Sequence, residues 1–491
     1  MTDTEAVITT AQPRSNDPNL SGEVGVRVIR GGSLRVAATL TGVLAGALSA
    51  PLVVRHLGVI DYGRYLTVGS VIFVVTALTE GGLTNVAVRA FSVAGAEERR
   101  ALIANLTGLR LALGALGSAG AIGFGLAAGY GRVVILGLVL GAGGYVAAGV
   151  QGAYAVALSG RLRLRELAGI ELVRSLLTTI FLITLVLAGS GLAGFFAVAV
   201  VVQSVALAIT GLLVRREVRL LPAFDLARWR ALLHETALYA VATALGAAYF
   251  QVALVSMSLL DPGKQTGYYA ISFRVVEILN GVPWLLAGSV LPVLAVAATD
   301  RDRFRFIARR VFEGALLAGG WFSIMIILGA KFAIEVIAGA QGAPAASVMR
   351  VMGIGAAATF LVSSWGFALL AQRSHRALLI ANAAVFALAV LLSLTLIPAF
   401  HAEGGAATTA TLEIALATAY VAILWRHHIR PPGRFLLCFV PALALAFGIG
   451  ELLLAVHPVL AVAVASAVYF SVLWSARAIP PELLSALPWR R

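Results

Sequence analysis

The stretch LAGFFAVAVVVQSVALAITGLLV, Leu192–Val214, runs for 23 residues without a charge and stops at RREVR, residues 215–219. A helix of that length rises about 35 Å at about 1.5 Å per residue, enough to cross the roughly 30 Å hydrocarbon layer of a bilayer. The arginines at its end mark the side on which it stops, because basic residues collect on the cytoplasmic side of membrane-crossing helices. The rest of the chain repeats this pattern. Of its 491 residues 60% are hydrophobic and only 12% charged, with a mean hydropathy of +0.94. So little polar surface cannot cover a water-soluble fold of this size, which makes lipid the solvent and excludes a soluble enzyme.

Apolar stretches of crossing length fall at about 33–54, 66–88, 102–127, 132–157, 168–188 and 192–214, and after a break at 232–257, 267–296, 307–329, 346–371, 377–397, 405–425, 435–455 and 458–476. That makes fourteen expected spans, so the chain reads as an all-α polytopic membrane protein. The charges check the count independently. With the N-terminus in the cytoplasm, 30 of the 37 basic residues face inward, and only Arg55, Arg64, Arg132, Lys264 and Lys331 face outward. A missed or surplus crossing would scramble this alternation from that point on. Both termini are therefore expected in the cytoplasm, with the protein in the cell's inner, cytoplasmic membrane. The net charge of +14 follows from this topology and does not point to nucleic acid. The one outer segment of some length, 329–345, is expected to hold a short interfacial helix.

An internal repeat divides the spans. IDYGRYLTVGS, from Ile60, has a counterpart in KQTGYYAISFR, from Lys264, which puts Gly63 and Gly267 in register. Arg99 and Arg100 match Arg309 and Arg310 in the same way, as Arg161 matches Arg373. A repeat of six helices, an even number, leaves both copies pointing the same way across the membrane. The expected organisation is a cytoplasmic tail at 1–25, an N-lobe at 26–214, a cytoplasmic linker at 215–231, a C-lobe at 232–425, and two further helices with a cytoplasmic C-terminus at 426–491. Two pseudo-symmetric six-helix lobes facing each other are the layout of an alternating-access transporter rather than of a single-pore channel.

The stretch PLVVRHLGVIDYGRY at 51–65, followed by EGGLTNVAVR at 80–89, resembles the opening of the polysaccharide flippases. These belong to the multidrug, oligosaccharidyl-lipid and polysaccharide exporter superfamily. The match is carried by Leu57, Gly58, Asp61, Tyr62, Gly63 and Tyr65; the second copy, SLLDPGKQTGYY at 258–269, lacks the leucine-glycine pair and fits more loosely. The resemblance implies a protein that moves undecaprenyl-pyrophosphate-linked oligosaccharides from the inner to the outer leaflet for cell-surface polysaccharide assembly. Its expected partners are that lipid-linked substrate, membrane lipids and polysaccharide assembly proteins. A drug or cation antiporter of the same superfamily, or a peptidoglycan-precursor flippase, is the alternative, with a membrane glycan polymerase or ligase as the reading from another class.

A charge in the hydrocarbon core costs about 2.5 to 3.5 kcal/mol, so each embedded ion needs water, a partner or a task. The candidates for contact with substrate are Arg35, Glu80, Arg89, Arg110, Arg174, Arg274, Glu277 and Asn280. Arg274, Glu277 and Asn280 are spaced by three and share a helix face, as do Glu171 and Arg174. Guanidinium suits a pyrophosphate because it stays charged and engages paired oxygens bidentately, while nearby carboxylates would recapture the arginines when the cargo leaves. No catalytic residue, metal cluster or cofactor motif is expected: Cys438 stands alone, and the glycine-lysine pair in LLDPGKQT lacks the P-loop pattern of an ATP site. Membrane potential is the expected contributor to transport, since a dianionic head moves downhill out of a negative interior.

Overall fold

A computed structural model describes residues 18–297, 300–372, 374–426, 429 and 432–479. Without water to satisfy them, backbone N–H and C=O groups in a bilayer must bond within their own segment, and this chain does so as helices throughout. In chain order these are α1 (Pro18–Glu80), α2 (Leu83–Val93), α3 (Ala96–Ala127), α4 (Arg132–Gly160), α5 (Leu164–Leu187), α6 (Leu192–Val214) and α7 (Leu226–Leu260). Then come α8 (Lys264–Ala297), α9 (Arg301–Ala338), α10 (Ala345–Ile354), α11 (Ala356–Ala371), α12 (His375–Arg426), α13 (Gly433–Leu453) and α14 (Pro458–Ser475). Among the described residues, nine helices are long and apolar enough to cross a membrane, or ten when the 45° bend between α10 and α11 is counted as one broken span. The protein is a multi-pass membrane protein.

The fourteen apolar stretches fall on these helices, 66–88 passing from α1 into α2 and 346–371 from α10 into α11, and two long elements carry two stretches in succession. Helix α1 carries the first two around Gly58, whose φ of 72° lies in the left-handed region where a glycine is at ease. Helix α12 carries the eleventh and twelfth around His401, at φ 53°. The outer segment 329–345 is mostly a continuation of α9, which runs on to Ala338 before a single 3-10 turn at Ala340–Gly342, so no separate interfacial helix forms there. The expected tail at 1–25 is partly helical: α1 begins at Pro18, and residues 1–17 lie outside the described residues.

In the first lobe α4 packs on α3 and α6, and α1 on α5; in the second α12 packs on α7, and α11 on α8 and α9. Helices α13 and α14 pair with each other and lean on α9. The lobes meet along α1, α7 and α8, where the two registered glycines of the repeat touch. A Cβ on Gly63 would lie 3.0 Å from the Cα of Gly267, and one on Gly267 would lie 2.2 Å from the carbonyl oxygen of Val59. The same arginine-poor end is closed by further bonds between lobes. Arg55 donates to the carbonyls of Glu335 (3.2 Å) and Val336 (2.7 Å), Tyr130 and Ser258 share a hydrogen bond of 2.6 Å, and the buried Ser70 hydroxyl donates to Gln251 at 2.7 Å.

At the arginine-rich end the link from α6 to α7 lies against α3. The Ala223 amide donates to Ala104 O at 2.9 Å, the Asp225 amide to Asn105 Oδ1 at 3.0 Å, and the Trp229 indole to Asn105 O at 3.0 Å. Asn105 is buried by this docking.

The seam gives a direct test. Gly267→Ala drives a methyl into the Val59 backbone, which cannot swing aside as a flexible side chain would. The substitution is expected to destabilise the protein by about 1 to 3 kcal/mol, seen as a lower midpoint of thermal unfolding in detergent. Gly69→Ala, with open space around its Cβ, leaves that midpoint unchanged.

Candidate functional site

Helix α5 carries Glu171, Arg174, Ser175 and Thr178, whose spacings of three and four put them on one face. That face looks onto a cavity of about 760 Å³ lined by α1, α4, α5 and α6. The cavity wall is polar in patches, with Ser49, Thr76, Thr84, Gln151 and Gln203 among its residues. Arg274 of the other lobe completes it from α8. Helix α1 lies against α5 and α8 through small residues one turn apart: a Cβ on Gly42 would meet the Ser175 hydroxyl at 2.6 Å, and one on Gly46 the Arg274 guanidinium at 3.6 Å.

Every one of these guanidiniums has a carboxylate partner. Arg174 donates to both oxygens of Glu171 at 2.6 Å, and Arg274 donates to Glu277 at 2.7 Å; each pair remains about one-third exposed. The third pair is built differently. Arg110 of α3 is buried, bonded to Glu80, and donates to the Thr84 hydroxyl at 2.7 Å and the Gly149 carbonyl at 3.3 Å. Gly152 presses on it closely enough that a Cβ there would lie 2.8 Å from its Nη1. Arg110 does not line the cavity. Glu80 and Thr84 do, so the arginine acts on the cavity through them.

The remaining candidates separate. Asn280 lies with Glu277 on a second cavity, described below, and Arg89 is exposed on α2, away from both linings. The Arg35 side chain lies outside the described residues.

The second cavity, about 520 Å³, belongs to the C-lobe, with Phe73 reaching it from α1. Glu277 and Asn280 are the sequence candidates on it; its other polar groups are not among them. Glu413 is buried and accepts from the Tyr249 hydroxyl at 2.9 Å, and the Tyr420 hydroxyl donates to Asn382 at 3.2 Å. The available signal was a lone glutamate inside the apolar run 405–425; a search for arginine-carboxylate spacings passes over it, because its partners come from α7. Among the described residues, no group of three His, Cys, Asp or Glu side chains is placed to hold a metal ion.

The family model described as polysaccharide biosynthesis protein matches residues 28–297, more than half of the chain. The chain belongs to the polysaccharide biosynthesis protein family. No curated protein sequence matches it. Among solved structures, the lipid II flippase MurJ in an inward closed conformation aligns with a TM-score of 0.74 at 14% identity, over 90% of this chain and 99% of that one. An inward-facing multidrug resistance transporter of the MATE family aligns at 0.60 and 14% identity, over 81% of this chain and 94% of that one. A Vibrio cholerae MATE transporter aligns at 0.52 and 14%, over 83% and 98% respectively. At such identities these likenesses show the fold: this polysaccharide biosynthesis family member has the two-lobed architecture of the flippase and exporter superfamily.

The two kinds of ion pair differ in what they are worth. Arg110 is buried and held by several supporting bonds while Glu80 reaches the cavity, whereas both Arg174 and Glu171 face the cavity. A double-mutant cycle of Arg110→Gln and Glu80→Gln is expected to give a coupling of about 2 kcal/mol or more, and the matching cycle at Arg174 and Glu171 less than about 1 kcal/mol. Shifts in the midpoint of SDS unfolding read both.

Proposed function

We propose that the protein is an alternating-access flippase that carries a polyprenyl-pyrophosphate-linked oligosaccharide from the inner to the outer leaflet for cell-surface polysaccharide assembly. One observation carries this reading: Arg174 and Arg274, from different lobes, line a single polar cavity, each beside a carboxylate on its own helix. A pyrophosphate entering between them exchanges with Glu171 and Glu277 as the partner of each guanidinium. It gains bidentate, charge-assisted bonds in a site where water is restricted. When the head group leaves, the carboxylates take the arginines back, so the bare site carries no uncompensated charge and does not trap its cargo.

The arginine-rich end is read as cytoplasmic, which places the chain in the cytoplasmic membrane with both termini inside. The seam at Gly63 and Gly267 then closes the outer side, and the cavity is loaded from within. The isoprenoid tail stays in lipid, the work is translocation rather than covalent chemistry, and the neighbours that supply and consume the substrate are polysaccharide assembly proteins. A peptidoglycan precursor shares the polyprenyl-pyrophosphate chemistry; the family match supports the polysaccharide cargo. A drug or cation antiporter fits less well, because the pocket carries guanidiniums beside its carboxylates.

Transport in sealed proteoliposomes tests this. Arg174→Gln and Arg274→Gln are each expected to lower flipping of a polyprenyl-pyrophosphate oligosaccharide at least tenfold, while Arg89→Gln stays near the wild type. A potential negative on the loading side is expected to accelerate the wild type, since each charge gains about 2.3 kcal/mol per 100 mV. Indifference to its sign would remove potential as a contributor.

A further inference from the structure

Helix α8 separates the two cavities, and one of its ion pairs faces both. Arg274 lines the N-lobe cavity; Glu277, bonded to it, lines the C-lobe cavity, with Asn280 one turn further along. We propose that the C-lobe cavity is a glycan subsite, holding the sugars of the same head group whose phosphates engage Arg174 and Arg274. This rests on the flippase reading above and adds to it where the sugars lie and which residues select them.

The chemistry of the lining decides between a sugar and the lipid tail as occupant. Glu413 is 3% exposed and uses one carboxylate oxygen to accept from Tyr249; the other, Oε2, is buried with no hydrogen-bond partner among the described residues. The Thr359 hydroxyl donates to the Gly355 carbonyl at 3.3 Å and also lies within reach of the Glu413 carboxylate. A hydrocarbon chain in this cavity would bring that carboxylate no further donor, and a buried carboxylate short of donors is costly. A sugar hydroxyl donates to it. Asn280, with no hydrogen bond among the described residues, offers both donor and acceptor at the end nearest Arg274. Between these two groups the wall is aromatic, formed by Tyr249, Phe250, Phe367 and Tyr420. Flat rings of this kind cover the C–H faces of a pyranose, and the polar groups at the edges meet its hydroxyls. The volume, about 520 Å³, falls in the range of small-ligand sites, and the Arg274–Glu277 pair links its lining to that of the phosphate site.

The subsite acts on glycan length, which separates it from the phosphate site. Purified full-length protein in proteoliposomes is given two probes: undecaprenyl pyrophosphate bearing one N-acetylglucosamine, and the same carrier bearing a tetrasaccharide. Asn280→Ala, Glu413→Gln and the cavity-filling Ala247→Trp are expected to lower flipping of the tetrasaccharide carrier tenfold or more, and of the monosaccharide carrier less than twofold. Thermal midpoints check that each variant is folded. If Glu413→Gln fails to fold, Asn280→Ala, which removes no bond among the described residues, carries the test alone. Equal losses on both probes, or no loss on either, would overturn the glycan subsite and leave the flippase reading standing. Unchanged flipping of both probes by Arg174→Gln and Arg274→Gln would overturn both.

Discussion

Charge inside a membrane is the constraint from which the structure of the site follows. Each embedded guanidinium has to be neutralised or hydrated, and this protein does both: it pairs every cavity arginine with a glutamate and then leaves the pair beside open volume. Arg174 with Glu171 and Arg274 with Glu277 are local pairs on single helices, so forming them needs no particular arrangement of the lobes. They persist as the lobes move. Arg110 with Glu80 joins two helices, is dry on the arginine side and fixes the N-lobe wall. The pairs open to the cavity are therefore the more exposed ones, and the pair with the buried arginine stands behind them.

The lobes themselves are held together elsewhere, at the seam. The contact of Gly63 and Gly267 is close backbone packing, reinforced by Arg55 on the last carbonyls of α9 and by single hydrogen bonds at Ser70 and Tyr130. Without a hydrophobic drive between helices in lipid, such small-residue contacts and interhelical bonds are what hold lobes together. Few bonds need to break for the seam to part, which suits a protein whose proposed work is to open at either end in turn.

Much of this was legible in the sequence, because hydropathy, charge alternation and helical spacing are local quantities. The fourteen apolar stretches all lie on helices, and the repeat that aligned Gly63 with Gly267 anticipated two residues that meet in space. Spacing of three brought Glu171 to Arg174 and Arg274 to Glu277. What spacing could not convey was tertiary. Glu80 and Arg110 sit 30 residues apart and pair only because α3 packs beside the end of α1. Arg89 has the composition of a cavity residue, yet its helix faces it outward. Asn105, a polar residue within an apolar stretch, is the socket for the inter-lobe link, a role that only the packing of the link shows. Glu413, alone in an apolar run, finds its partner on α7, so nothing near it in sequence announced a second cavity.

The account depends on phosphate replacing carboxylate as the partner of the cavity arginines. Binding measured with one glycan on two carriers, a polyprenyl pyrophosphate and the neutral polyprenol, isolates that exchange most directly, since sugars and tail are held constant. The account predicts at least tenfold tighter binding of the pyrophosphate by the wild type, and a difference of no more than about twofold once Arg174 and Arg274 are both changed to glutamine. Equal affinity of the wild type for the two carriers would contradict it.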